Sequence, residues 1–161
     1  MRNLVLTLAI FLALSGQLFG SEAGFVGIHL LDGYSAKRGS AVDAAAWTIE
    51  GKSGLKIYFE AGPNEGSWAN PEELNKYSWY REQRIRGYTV RYALVKSGLK
   101  TQWEPDDSRG LPPGNILLVT FLLEKGKSDH TANFSAKLAG SEELADTLLM
   151  VATFDPSKGN F

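Results

Sequence analysis

A chain of 161 residues with no cysteine, 43% hydrophobic residues and a formal net charge of −1 has the size and apolar content of one ordinary domain held together by packing alone. The lack of cysteine excludes a disulfide framework, thiolate catalysis and lipid attachment through a terminal cysteine. Seventeen Lys and Arg against eighteen Asp and Glu give no polyelectrolyte character, which argues against nucleic acid as a partner.

At the start of the chain Arg2 precedes an apolar run from Leu4 to Leu14, and small residues gather around Ser21 and Ala23. A charged start, a greasy stretch and a small-residue exit describe a secretory signal peptide, read here as residues 1–23 with a cut before Gly24; a cut after Gly20 is the alternative. Even extended to Phe19 the run falls short of the roughly 20 apolar residues of a spanning helix, and Gly16 and Gln17 interrupt it. The expectation is an exported, soluble protein, periplasmic or extracellular, with no stable membrane insertion after cleavage and a single domain over residues 24–161.

Beyond the leader the pattern is mostly that of strands. A strand over Phe25 to Leu31 is possible by composition. Trp47 and Ile49, then Leu55, Ile57 and Phe59, alternate with polar residues on either side of Gly51-Lys52-Ser53-Gly54, and period two broken by a glycine turn predicts a hairpin. Asn70 can cap a short helix with Pro71 at its first position and Glu73 returning a bond to the cap. A second hairpin is expected from Trp79 to Val95 around Arg86-Gly87-Tyr88, with a weaker strand from Leu99 to Trp103. The pentapeptide Lys52-Ser53-Gly54-Leu55-Lys56 recurs as Lys96-Ser97-Gly98-Leu99-Lys100 without similar neighbours, so it reads as one turn chemistry used twice. Loops are expected from Gly62 to Asn70 and from Glu104 to Gly114.

Ile116 to Leu123 is apolar on both parities, as in a central strand covered on both faces. Ala132, Phe134, Ala136 and Leu138 alternate with Thr131, Asn133, Ser135 and Lys137, which predicts one face inside and one in water. Ser141 can cap a terminal helix with Glu142 and Glu143 in its first turn, a stripe of Leu144, Leu148 and Val151, and Pro156 as its stop. The fold expected is α+β: an antiparallel sheet of about six or seven strands with the C-terminal helix on one face and the short helix and loops on the other. A β-sandwich or small barrel is the alternative.

Motifs for chemistry are mostly missing. Gly51-Lys52-Ser53 and Gly126-Lys127-Ser128 resemble the end of a phosphate loop, but the earlier glycine it requires is Ala46 or Phe121. No serine sits in a Gly-x-Ser-x-Gly elbow. His29 and His130 stand too far apart in the chain, with no third ligand, for the usual zinc set, and no metal or cofactor is expected. Asp129 beside His130 could relay a proton, and Glu104, Asp106 and Asp107 could hold calcium, but a polar turn between strands and a solvated acidic loop are the favoured readings of the two. Glu50, Glu60, Glu65, Glu82 and Glu104 are scattered, and spacing alone cannot pair them across a cleft. Asn133-Phe134-Ser135 is a glycosylation sequon, relevant only in a pathway that attaches glycans.

The compositional anomaly is the segment from Trp79 to Tyr92, which holds four of the seven arginines interleaved with four aromatic residues. On a hairpin Trp79, Arg81, Gln83 and Ile85 share one face with Tyr88, Val90, Tyr92 and Leu94; Tyr80, Glu82, Arg84 and Arg86 share the other with Thr89, Arg91 and Ala93. The second face is basic and could grip a carboxylate, phosphate or sulfate, with Trp79 and Tyr92 turned inward as core. The candidate ligand-binding residues are Arg84, Arg86, Arg91, Tyr80 and Trp68, the last in a loop among Gly66, Ser67 and Asn70. The function expected is a non-catalytic exported domain that binds an anionic small molecule, a polymer or an envelope protein. The alternatives are an accessory subunit of an envelope assembly and a carboxylate-dependent hydrolase using Asp106, Asp107 and Asp129.

Overall fold

The structure, a computed structural model, describes residues 27–40, 44–51, 53–106, 108–124 and 129–159. The leader, and the Phe25 end of the first expected strand, lie outside the described residues. Seven strands, β1 (Ser35–Arg38), β2 (Ala45–Glu50), β3 (Lys56–Gly62), β4 (Tyr77–Ile85), β5 (Tyr88–Val95), β6 (Ile116–Leu122) and β7 (Thr131–Lys137), form one antiparallel sheet in the order β1-β2-β3-β7-β6-β5-β4. The sheet is open, and among the described residues a single α-helix, α1 (Ser141–Ala152), packs on one face. This is the α+β arrangement expected, and the sandwich and barrel alternatives fall away.

Each hairpin follows its turn chemistry. Ile85 pairs with Tyr88, so the β4–β5 turn is Arg86-Gly87, with φ of 50° and 88°. Two successive left-handed residues suit the twist of the flanking strands, and the parities expected for this hairpin are the ones observed. Ser78 is the bulge that sets Tyr77 against Val95 and Trp79 against Leu94. The repeated pentapeptide does use one device twice: Gly54 and Gly98 have φ of 82° and 84°.

The helix-facing side is apolar. Phe59, Phe121 and Phe134 from β3, β6 and β7 surround Phe154, which follows α1, with ring centroids 5.0–5.5 Å from it. Met150 and Val151 complete this core, while Leu144 and Leu148 pack at its rim. The helix differs from expectation at its start. Gly140 is the cap, with no side chain to meet the free donors of the first turn, and Ser141 is the first helical residue; the Glu143 carboxylate turns back past the cap to accept from Ala139 N–H at 2.7 Å. Trp79 also differs: it is 44% exposed, because β4 is an edge strand and the core of the helix face ends one strand in, at Tyr92.

The opposite face is built by connections. The chain leaves β3 in the middle of the sheet and must reach β4 at the far edge, so residues 63–70 cross over β7 and β6. A 3₁₀ helix (Pro71–Lys76) then leads into β4. Asn70 caps it as expected, accepting from Glu72 N–H at 3.0 Å, but Glu73 binds Lys76 at 2.6 Å instead of returning a bond to the cap. Residues 99–106 and 108–115 form a second cover. Leu99 to Trp103 is therefore loop, not strand, and 27–31 is irregular chain lying beside the end of α1, where Asp155 N–H donates to Gly27 O at 2.7 Å. Gly114 lets the second cover close against the sheet, since a Cβ there would lie 2.3 Å from Lys96 O.

These covers overturn the expectation that Thr131, Asn133, Ser135 and Lys137 face water: all four are buried. Their polar atoms are met by the covering segments. Thr131 Oγ1 and Asn133 Nδ2 donate to Gly66 O at 2.8 and 3.0 Å, and Trp68 N–H donates to Asn133 Oδ1 at 3.2 Å. Ala69 N–H donates to Thr120 Oγ1 at 3.1 Å, and that hydroxyl donates to Asn133 Oδ1 at 2.7 Å. Ser135 Oγ donates to Trp103 O, and Lys137 Nζ meets Glu104 Oε1 at 2.7 Å. Ile116 and Leu118 project to the same side, under Ala69, Tyr77 and Trp103.

Asn133 is the hub of this arrangement. Asn133→Ala leaves the buried Trp68 N–H without its acceptor and Gly66 with one donor fewer, which should destabilise the protein by about 2–4 kcal/mol. Urea denaturation, with Lys37→Ala on the exposed β1 as a control expected to change little, measures this.

Candidate functional site

Along the loop-covered face, aligned residues run across the sheet in rows. One row is Ala46, Glu60, Asn133, Thr120, Arg91 and Glu82; its neighbour is Thr48, Tyr58, Ser135, Leu118, Ala93 and Tyr80. The crossover lies over the middle of these rows and leaves two exposed flanks. One carries Tyr58 and Glu60, the other Tyr80, Glu82, Arg84 and Arg91.

The structure brings three of the expected binding residues to the second flank. Arg91 Nε bonds Glu82 Oε2 at 3.0 Å, and the Arg91 side chain is mostly buried beside Thr120. Arg84 is exposed. Tyr80 stacks on Tyr77 with centroids 6.1 Å apart, and among the described residues its buried hydroxyl meets no hydrogen-bond partner. Burial raises the Tyr80 pKa, the Arg91 charge opposes this, and Glu82 adds to it. Arg86 does not join them. Its turn swings the guanidinium round to the helix side, where Nη1 donates to Thr153 O at 3.0 Å and Phe154 O at 2.9 Å. It caps carbonyls at the negative end of α1, a favourable place for a cation.

Trp68 is elsewhere again. It is only 5% exposed and stacks on Trp103 with centroids 4.7 Å apart and planes 11° from parallel. The partner comes from the second covering loop, so the stack joins the two covers. Its indole N–H is buried with no acceptor among the described residues. Beside the stack is a pocket of about 210 Å³, lined by Trp68 and Trp103 together with Asn70, Lys76, Lys100 and Gln102. Lys76 is engaged by Glu73, which leaves Lys100 as the cation at its rim. Across Trp68 is a second hollow of about 170 Å³, lined by Trp47, Thr48, Tyr58, Glu60 and Trp68.

Glu60 is the group that spacing alone could not place. The fold sets it beside Glu65, five residues on but across the end of β3, where Glu65 N–H is held by Asp129 O at 3.1 Å. The Glu60 pKa is raised, first by burial, then by the Glu65 charge and by the hydrogen bond the two carboxyls share. Asp106 and Asp129 are exposed on separate loops, and Asp107 lies outside the described residues.

A third hollow, about 610 Å³, opens at the start of α1 between Asp32, Tyr34, Ser53, Glu142, Glu143 and Asp146. Glu143 is neutralised there by Arg109 at 2.6 Å, and the Tyr34 hydroxyl donates to Asp146 Oδ2 at 2.7 Å. Burial, then Asp146, raises the Tyr34 pKa. So acidic a lining repels anions. Among the described residues no group of three or more His, Asp or Glu could hold a metal ion, and no helix is long and apolar enough to cross a membrane.

No protein-family model, curated protein or solved structure matches the chain.

The Glu60 carboxyl yields a pH prediction. A group with a raised folded-state pKa binds its proton more tightly in the native state, so its penalty is absent below the ordinary value of 4.5 and grows as pH rises through the folded-state value. Glu60→Gln should match wild type in stability at pH 4 and exceed it at pH 7. Urea curves at the two pH values measure the difference.

Proposed function

We propose that the chain is an exported, non-catalytic binding domain for an anionic small molecule or polymer, held on the loop-covered face of its sheet. The observation that carries this reading is the pocket beside the Trp68–Trp103 stack. Small-ligand sites gather a few directed polar groups in a concave surface, and this pocket sets the amides of Asn70 and Gln102, the hydroxyls of Ser67 and Thr101 and the Lys100 ammonium beside the Trp68–Trp103 stack, in which Trp68 is buried. The stack is pinned from both sides, through Trp68 N–H on Asn133 and through Trp103 O, which accepts from Ser135. A wall fixed in advance reduces the ordering cost of binding. Export is proposed from the leader, and Arg84 and Arg91 give the same face a second cationic area beyond the crossover.

A thermal-shift screen of inorganic anions, sugar acids and envelope polymers tests the reading on wild type, Lys100→Ala and Arg84→Ala/Arg91→Ala. A ligand at a hundred times its Kd should stabilise wild type by about 2.7 kcal/mol, and Lys100→Ala should lose that shift. Loss confined to the arginine pair would move the site to the second flank. No shift with any compound would refute the reading in favour of an accessory subunit.

A further inference from the structure

The two edges of the sheet are unlike. β1 is four residues long, and so short an edge offers little to another strand. β4 is nine residues long with neither proline nor lysine, and its bulge at Ser78 lies near the start, so Tyr80 to Ile85 form a regular edge without those protections. The residues that flank a two-residue turn bond each other. Ile85, Gln83 and Arg81 therefore aim their backbone groups at β5, while Arg84, Glu82 and Tyr80 aim theirs outward. Among the described residues no backbone group pairs with them.

Charge selects what can. A second copy pairing antiparallel about a two-fold axis must align residues of one face, so the axis passes through a single position of β4. An axis at Arg81, Glu82 or Arg84 sets that charge against its own copy, and an axis at Trp79 or Tyr80 draws the Ser78 bulge into the seam. At Gln83 no like charges meet. Glu82 then faces Arg84 of the second copy, the same pair recurs by symmetry, and Arg81 faces Ile85. Glu82 already holds Arg91 at 3.0 Å, whereas Arg84 is exposed and, among the described residues, in no ion pair. The same register carries Trp79, 44% exposed, to the second copy's turn at Gly87, which has no side chain to obstruct it.

We propose that β4 is a self-association edge: two copies pair antiparallel through Arg81 to Ile85, with the two-fold axis at Gln83, and their two seven-stranded sheets become one. This stands independently of the ligand reading above.

Sedimentation velocity over a concentration series tests it, together with single cysteines placed in a chain that has none. Wild type should pass from monomer to dimer as concentration rises. Gln83→Cys should give a disulfide-linked dimer on mild oxidation, because it faces its copy at the close approach of a non-hydrogen-bonded pair; Arg81→Cys should not. Arg84→Glu and Glu82→Arg should each weaken the dimer at least about tenfold by setting like charges opposite one another. An equimolar mixture of these two variants should dimerise again, since the acidic edge of one faces the basic edge of the other. Should Glu82→Arg, placed beside Arg91, fail to fold, Arg84→Glu and the Gln83→Cys cross-link decide the matter. A chain that stays monomeric throughout and yields no Gln83→Cys dimer would overturn the proposal. Cross-linking through Arg81→Cys in place of Gln83→Cys would overturn it too, as would species beyond the dimer, which mark head-to-tail pairing of β4 with β1.

Discussion

The β3-to-β4 crossing is the constraint on which the rest depends. A sheet whose fourth strand lies at the far edge forces a backbone segment across strands already covered by α1 on their other side. A buried crossing strands its amides unless the sheet supplies partners. Here β7 presents a polar row where a doubly covered central strand would ordinarily be apolar, and Asn133 alone serves Gly66, Trp68 and Thr120. The two faces of the sheet thus cohere by different physics. One is four phenylalanines and a helix; the other is a hydrogen-bonded seam with a small apolar cluster at one end.

That division explains where a ligand can go. The helix face is filled, and an apolar core packed to normal density offers no room. The seam is narrow, and the covers that close it are separate segments that meet at the Trp68–Trp103 stack. Clefts remain where the covers fail to meet. Their walls inherit the polar character of the seam, and their floor inherits its rigidity.

Much of the fold was legible because local patterns agreed with the final arrangement. The β2–β3 and β4–β5 hairpins, the parities around Arg84 and Arg91, the doubly covered β6 and the terminal helix all follow from period, glycine turns and capping residues. What misled was polarity without context. Thr131, Asn133, Ser135 and Lys137 carry the pattern of a solvated face, and the backbone that covers them comes from about 65 and 32 positions away in sequence, beyond any local window. The short β1 was likewise invisible, its four residues having one buried side chain.

The candidate site was half legible. Tyr80, Arg84 and Arg91 come together because strand parity governs them, whereas Arg86 departs because a turn residue with positive φ obeys no parity. Trp68 was singled out, but its partner Trp103 lay in an expected strand, and Glu60 with Glu65 had no signal at all. The sequon has a consequence of a different kind. Asn133 Nδ2, the atom that would carry a glycan, is the atom that donates to Gly66 and Thr131, and it has no exposure in the folded protein. A glycosylating secretory pathway could reach it only before β7 is covered, and a sugar attached there would remove the tether of the crossover, so the modified chain would be barred from its native state.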